Sequence, residues 1–432
     1  QDTKGHKSLT IVIKLGTSSI VDEKTHEPLL PILSLIVSTA VELRKEGHKV
    51  VIVSSGAIGV GLRTMDIDKR PKHLSSLQAL AAIGQCRLIH LWDSLFSHYR
   101  QPIAQILLTR NDIADRTRYL NAQNTFTELL SMGVIPIVNE NDTIAVAEIK
   151  FGDNDTLSAI TGAMVHADML FLMTDVDCLY DKNPRTNPDA KPIEVVEDIS
   201  EITADVSQAG SALGTGGMST KIVAARLATS AGVTTIITRS SAPGNLPKIA
   251  RYIQNTKRLS TAEVLSLERP PLHTRFMPIS APIRDRHFWV LHGLAPHGTV
   301  YIDQGAHKAL LRRAGLLPVG VIGVEGHFGQ HESVRLVVAS RRETPDAEGR
   351  MWENEQQEIG RALTNYAALE ISKILGNQSH KIKSILGYAD SGYVAEREYI
   401  SLHRTGSRPP SPFGDRTPLI TSTPVSEPEL SQ

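Results

Sequence analysis

The chain has 432 residues, and its 46 Lys and Arg balance 46 Asp and Glu, so the overall charge points to no polyanionic partner. That length accommodates two or three domains, and Cys86 and Cys178 make no disulfide framework and suit a reducing compartment. No apolar run reaches the ~18 residues of a membrane span, and the polar start Gln1–Lys7, without a Met, lacks the apolar core of a signal peptide, so a soluble cytoplasmic protein with no membrane contact is expected.

Ser8–Leu15 (SLTIVIKL) is an apolar, β-rich run that carries Lys14 near its end and passes directly into Gly16-Thr17-Ser18-Ser19. A strand that ends in glycine and hydroxyls offers backbone N–H groups to an anion, and Lys14 adds a point charge beside them. A solvated lysine at a strand end is an equally good reading of Lys14 alone. Ile32, Leu35, Ile36, Thr39, Ala40 and Leu43 have helical spacing over 31–46, and Gly47 closes that helix. Lys49–Ser55 (KVVIVSS) is apolar without alternation, as in a strand covered on both faces. It runs into Ser54-Ser55-Gly56-Ala57-Ile58-Gly59-Val60-Gly61, a second loop of small residues after a strand.

Leu74, Leu77, Ala81, Gly84, Leu88, Leu91 and Leu95 mark a long helix over about 75–99, whose apolar stripe suits a core or a subunit contact. Ile103–Thr109 reads as the third strand. Asn111–Asn124 reads as a charged connector into a helix that ends near Ser131. The next stretch, PIVNENDTIAVAEIKFGDNDTLSA from Pro136 to Ala159, organises the chain. Two knots of short carboxylates and amides, Asn139-Glu140-Asn141-Asp142 and Gly152-Asp153-Asn154-Asp155, stand after a strand and before a helix. In an open α/β sheet ligands bind at such places.

Met169–Thr174 (MLFLMT) is another buried strand and ends in Thr174-Asp175. A polar Pro/Asn/Asp loop follows at 180–192. Leu213–Lys221 reads LGTGGMSTK, with Gly214, Gly216 and Gly217 ahead of a helix to Ser230. A helix N-terminus behind flexible glycines can cradle phosphate. Lys221 inside that first turn would oppose the helix dipole unless an anion offset it. The segment is no P-loop, and neither glycine loop has the dinucleotide spacing. Val233–Thr238 is the final strand of this region. The strand–helix alternation predicts an α/β fold, a mainly parallel sheet between helical layers, with Lys14, Ser55, Asn139–Asp142 and Thr174-Asp175 along one sheet edge.

Five motifs occur in order: Lys14-Leu15-Gly16-Thr17-Ser18, Ser54-Ser55-Gly56-Ala57-Ile58, Asn139-Glu140-Asn141-Asp142, Phe151-Gly152-Asp153-Asn154-Asp155 and Gly214-Thr215-Gly216-Gly217-Met218-Ser219-Thr220-Lys221. Together, over about residues 8–250, they resemble the glutamate 5-kinases of the amino-acid kinase family. The resemblance implies transfer of the ATP γ-phosphoryl group to the side-chain carboxylate of L-glutamate, with Mg²⁺ on the ATP phosphates, at the first step toward proline. By the same resemblance proline is a feedback inhibitor. A homo-oligomer, a dimer or tetramer, is expected, with the Leu stripe over 75–99 as its subunit contact. It further implies catalytic roles for Lys14, Lys221 and Asp155, and glutamate contacts from Ser55, Gly56, Asp142 and Asn154. Nucleotide contacts are implied for Lys14, Gly16, Thr174, Asp175, Thr215, Gly216, Gly217, Met218, Ser219, Thr220 and Lys221. No residue is implied as a dedicated metal ligand.

The catalytic unit is expected over 8–255, followed by a linker over 256–282 rich in proline. Residues 283–403 resemble a PUA domain, with strands at Phe288–Leu291, Gly298–Asp303, Val319–Val324 and Ser333–Ala339 and a helix over 305–313. A charged loop over 341–357 is predicted next, then helical or turn segments over 358–375 and 379–386. The 14 Lys and Arg and 14 Asp and Glu of 283–403 form no basic excess, so RNA binding by this unit stands beside a structural or regulatory role. Two other readings stay open: a related kinase with a different acceptor, and an RNA-binding protein that acts through its C-terminal unit. From Arg404 Pro, Ser and Thr dominate, and disorder is expected.

Overall fold

A computed structural model describes residues 7–145, 154–184, 186–199, 217–256, 267–279, 282, 285–342, 344, 346, 350–353 and 358–403. Of the residues singled out above, Phe151, Gly152, Asp153, Leu213, Gly214, Thr215 and Gly216 and the tail from Arg404 lie outside them, as do parts of the stretches 256–282 and 341–357.

In the first unit Thr10–Leu15 (β1) leads to Leu30–Lys45 (α1), Lys49–Ser54 (β2), Ala57–Thr64 (α2) and Leu74–Ser97 (α3). Ile103–Leu108 (β3), Arg110–Ala114 (α4), Arg116–Ser131 (α5), Ile135–Glu140 (β4), Asn154–Met164 (α6) and Met169–Thr174 (β5) follow. The short strands Leu179–Tyr180 (β6), Pro192–Ile193 (β7) and Val195–Val196 (β8) precede Met218–Ser230 (α7), Thr234–Arg239 (β9), Asn245–Thr256 (α8) and Thr274–Phe276 (β10). One sheet has the order β3-β4-β2-β1-β5-β9-β10-β8. Its first six strands run parallel, and β10 turns antiparallel to β9.

The unbroken apolar strands are explained by the two cores they serve. Ile11, Ile13 and Leu15 of β1 pack with α1, α3 and α8, whereas Val12 packs with α5, α6 and α7. Strands β2 and β5 divide in the same way, so every apolar residue of these central strands belongs to one helical layer or the other. Two expectations change here. The connector over 111–124 is helical from its start, because Thr109 and Asp112 form a capping box for α4 and Asp115 caps α5. The stretch read as linker contributes β10, which pairs with both β9 and β8.

The C-terminal unit has a five-stranded sheet of Gly298–Ile302 (β11), Val321–Gly326 (β12), Ser333–Val338 (β13), Glu358–Leu363 (β16) and Ile400–Leu402 (β17), in the order β12-β11-β13-β16-β17. Phe288–Leu291 is not a strand. A short helix, Asp285–Phe288, runs on into a π turn at Trp289–Gly293. Its apolar residues Phe288, Trp289 and Val290 join a core of the first unit, and Trp289 Nε1 donates to Ile113 O at 2.9 Å. Glu358–Leu363 is a strand rather than a helical segment. The charged insertion is pinned at its ends by a short hairpin, Ser340–Arg341 (β14) with Trp352–Glu353 (β15), and the Trp352 ring stacks on Tyr301 with centroids 4.6 Å apart. Among the described residues no helix is long and apolar enough to cross a membrane.

Candidate active site

Because β4, β2, β1 and β5 are parallel neighbours, their carboxyl ends share one edge of the sheet. Lys14 lies near the end of β1, Ser54 closes β2, Asn139 and Glu140 close β4 and Thr174 closes β5. The glycine after Ser55 has a conformational reason. Gly56 caps α2 at φ +101°, in the left-handed region that a side chain rarely adopts, and an added Cβ would stand 3.1 Å from the Ile20 side chain. The chain can therefore turn sharply at the strand end and aim the α2 N-terminus at the edge.

Three charges meet behind that edge. Asp155, in the first turn of α6, has no solvent exposure. Lys14 Nζ lies 2.6 Å from Asp155 Oδ1, and Lys221 Nζ lies 3.5 Å from Asp155 Oδ2. Thr220 Oγ1 donates to Asp155 Oδ2 at 2.7 Å and accepts from Gly217 N–H at 3.0 Å, tying α7 to α6. Burial alone would raise the Asp155 carboxyl, but Lys14 and then Lys221 hold it down at about 2. Burial, followed by repulsion from Lys14, pushes the Lys221 ammonium below its ordinary range, and Asp155 only partly offsets this.

The cluster thus carries two cations and one anion, all buried. Lys221 also sits in the first turn of α7, at the positive end of that helix. An excess positive charge withdrawn from water is costly unless an anion joins it. A phosphoryl group entering between the lysines would balance the charge.

Beside this cluster lies a neutral polar patch. Asn154 Nδ2 is 2.8 Å from Ser55 Oγ and 3.0 Å from Asn139 Oδ1. Asn139 Nδ2 donates in turn to Gln85 Oε1 of α3 at 2.9 Å. Asp142, itself half-buried, follows in the turn after β4. Gly16 begins the turn after β1, and a Cβ there would stand 3.7 Å from Lys14 Nζ, so its backbone covers the lysine tip. Thr174 Oγ1 donates to Asp175 Oδ1 at 3.1 Å, on the far side of β1 from Ser55. Met218 and Ser219 open α7.

The structure therefore brings Lys14, Asp155, Thr220 and Lys221 into one contact group, and Ser55 and Asn154 into a second one beside it. Asn139 was visible as part of an Asn/Asp knot, without a role of its own. Gln85 gave no signal, since it is one polar residue on a helix noticed for its apolar stripe. The hydrogen bond from Trp92 Nε1 to Ser54 Oγ, 3.2 Å, was equally hidden.

The amino acid kinase family matches residues 9–239, and the PUA domain matches residues 298–386. A probable glutamate 5-kinase of Schizosaccharomyces pombe is 56% identical over 405 residues, 93% of this chain and 95% of that protein. An uncharacterized protein of Saccharomyces cerevisiae is 50% identical, over 91% of this chain and 98% of its own. A glutamate 5-kinase of Rippkaea orientalis is 44% identical, over 91% of this chain and 99% of its own. Both domains and nearly the full length are shared with such relatives, and the chain belongs to the glutamate 5-kinases of the amino acid kinase family, with a C-terminal PUA domain.

Proposed function

We propose that this protein transfers the γ-phosphoryl group of ATP to the side-chain carboxylate of L-glutamate, releasing ADP and forming an acyl phosphate at the head of proline synthesis. The observation that carries this reading is the buried Lys14–Asp155–Lys221 group, with its one excess positive charge, next to the Ser55–Asn154 patch. A carboxylate with a pKa of about 4.3 is ionised at neutral pH, so the acceptor needs no general base. Repulsion between the carboxylate and the ATP phosphates is the obstacle, and fixed positive charge with in-line alignment removes it.

In this reading a glutamate side-chain oxygen attacks the γ-phosphorus while the bond to the β–γ bridging oxygen breaks and its electrons leave with ADP. Lys14 and Lys221 stabilise the charge on the transferring group from two sides. Asp155 holds both ammonium groups apart and in place, and Thr220 locks it to α7. Ser55, Asn154 and Asp142 hold the amino-acid end, with Asp142 opposite the ammonium. The backbone at Gly16 and Gly56 faces phosphate and carboxylate oxygens. The nucleotide lies along Thr174, Asp175 and the 215–221 segment. Among the described residues no group of three His, Cys, Asp or Glu could hold a metal ion. In this reading magnesium arrives on the ATP phosphates, which supply most of its ligands.

The test is ADP release by the purified protein with Mg²⁺-ATP and, in turn, L-glutamate, L-aspartate, N-acetylglutamate and carbamate, each with and without proline. Release that depends on glutamate supports the proposal, and its suppression by proline supports feedback control. Release with another acceptor and none with glutamate would overturn it.

A further inference from the structure

The geometry points to Gln85 as a positioning residue that, together with the Glu140 backbone N–H, holds the hydrogen-bond polarity of the acceptor pocket through Asn139, so that the pocket selects an acceptor bearing both an ammonium and a carboxylate. This rests on the proposed glutamate site and extends it to a residue on α3.

The argument starts from a group whose polarity is fixed. The Glu140 backbone N–H can only donate, and it lies 2.9 Å from Asn139 Oδ1. The carbonyl oxygen of Asn139 must therefore face Glu140, which turns Nδ2 the opposite way. Asn139 is only 3% exposed, so that NH₂ needs a partner inside the protein. Gln85 Oε1, 2.9 Å away, accepts from it. Asn139 Oδ1 then also accepts from Asn154 Nδ2 at 3.0 Å. The second proton of that same NH₂ goes to Ser55 Oγ at 2.8 Å.

Two consequences reach the pocket. Asn154 has committed both amide protons and keeps Oδ1 as its acceptor. Ser55 Oγ has accepted and keeps its own O–H to donate. One acceptor and one donor stand side by side, with the Asp142 carboxylate in the turn after β4. An α-ammonium and an α-carboxylate are the complementary pair. Without an acceptor at position 85, Asn139 Nδ2 is buried and unpaired, and the relay loses one of its two anchors. Gln85 follows Gly84, which packs α3 against Ala57 and Gly61 of α2, so its place is fixed by a helix–helix contact rather than by a loop.

Two variants of the full chain test this, Gln85→Leu and Gln85→Glu. The readouts are KM for glutamate, KM for ATP and the Ki of glutarate, a dicarboxylate of the same length without the ammonium. Gln85→Leu should raise the glutamate KM about tenfold and narrow the gap between glutamate KM and glutarate Ki by a similar factor, the size expected for one lost buried hydrogen bond. The ATP KM should hold. Gln85→Glu still accepts from Asn139 and should restore both the glutamate KM and the discrimination. Gln85→Leu with unaltered glutamate KM and discrimination would overturn the inference alone. So would a rise in both KM values together with a lowered melting temperature, or a Gln85→Glu variant as impaired as Gln85→Leu. Absence of glutamate turnover in the unsubstituted protein would overturn the proposed function and this inference with it.

Discussion

Lys14 Nζ lies 2.6 Å from Asp155 Oδ1, and both side chains are withdrawn from solvent. This contact joins β1 to α6 across 141 positions of sequence and sets the charge state of the whole site. The folded-state pKa of Asp155, about 2, is below its ordinary 3.8. The interaction therefore contributes fully above the unfolded value and is lost as pH falls from 3.8 toward 2. Its size is on the order of 2 kcal/mol. Urea unfolding of the native protein and of Asp155→Asn should show a stability gap that narrows as pH falls from about 5 toward about 2. A gap independent of pH would contradict the assignment.

Lys221 approaches the same carboxylate from α7, and its ammonium titrates below the usual 10.5 because it is buried and faces Lys14. Lys221→Ala should lower kcat by about 100-fold or more while the melting temperature holds, since it removes charge stabilisation of the transferring group. In the native protein kcat/KM for ATP should fall, as pH rises, at a pH below the ordinary lysine range. Near-normal turnover by Lys221→Ala would remove this residue from the mechanism.

Asp142, in the turn after β4, is the residue that the proposed reading sets opposite the glutamate ammonium. Asp142→Ala should raise the glutamate KM by about tenfold or more, as expected for a lost charged hydrogen bond, and leave the ATP KM unchanged. A change in ATP KM alone would place Asp142 on the nucleotide side.

Gly84 is a packing requirement. A Cβ there would fall 1.7 Å from Ala57 O and 2.6 Å from Gly61 N, so α2 and α3 could not keep their present contact. Gly84→Ala should destabilise the protein by about 1–3 kcal/mol in urea unfolding. It should also weaken glutamate binding, because α2 carries the Gly56–Ala57 turn and α3 carries Gln85.

The first sheet was legible because its strands are short, unbroken and apolar, and each ends in polar or small residues. Lys14, Ser55, Asn139–Asp142 and Thr174 could thus be placed on one edge before any contact was known. The lost features share a physical reason, since tertiary context decided them. Phe288–Leu291 is an apolar run, and such a run does not distinguish strand from helix by periodicity. It is helical because it buries Phe288, Trp289 and Val290 against the first unit. Glu358–Leu363 has helix-forming composition, yet it fills the gap between β13 and β17, where a Cβ on Gly360 would lie 2.3 Å from Ser401 O. Thr274–Phe276 offers three residues among prolines, too few for a pattern. Gln85 acts through one amide oxygen, and no spacing rule marks it.

The measurement that tests the central claim most directly is hydroxylamine trapping during turnover with Mg²⁺-ATP and L-glutamate, comparing the native protein with Lys221→Ala. Glutamyl hydroxamate should accumulate in step with ADP for the native protein and be almost absent for the variant. ADP without hydroxamate, or equal hydroxamate from both proteins, would contradict phosphoryl transfer to the glutamate carboxylate between Lys14 and Lys221.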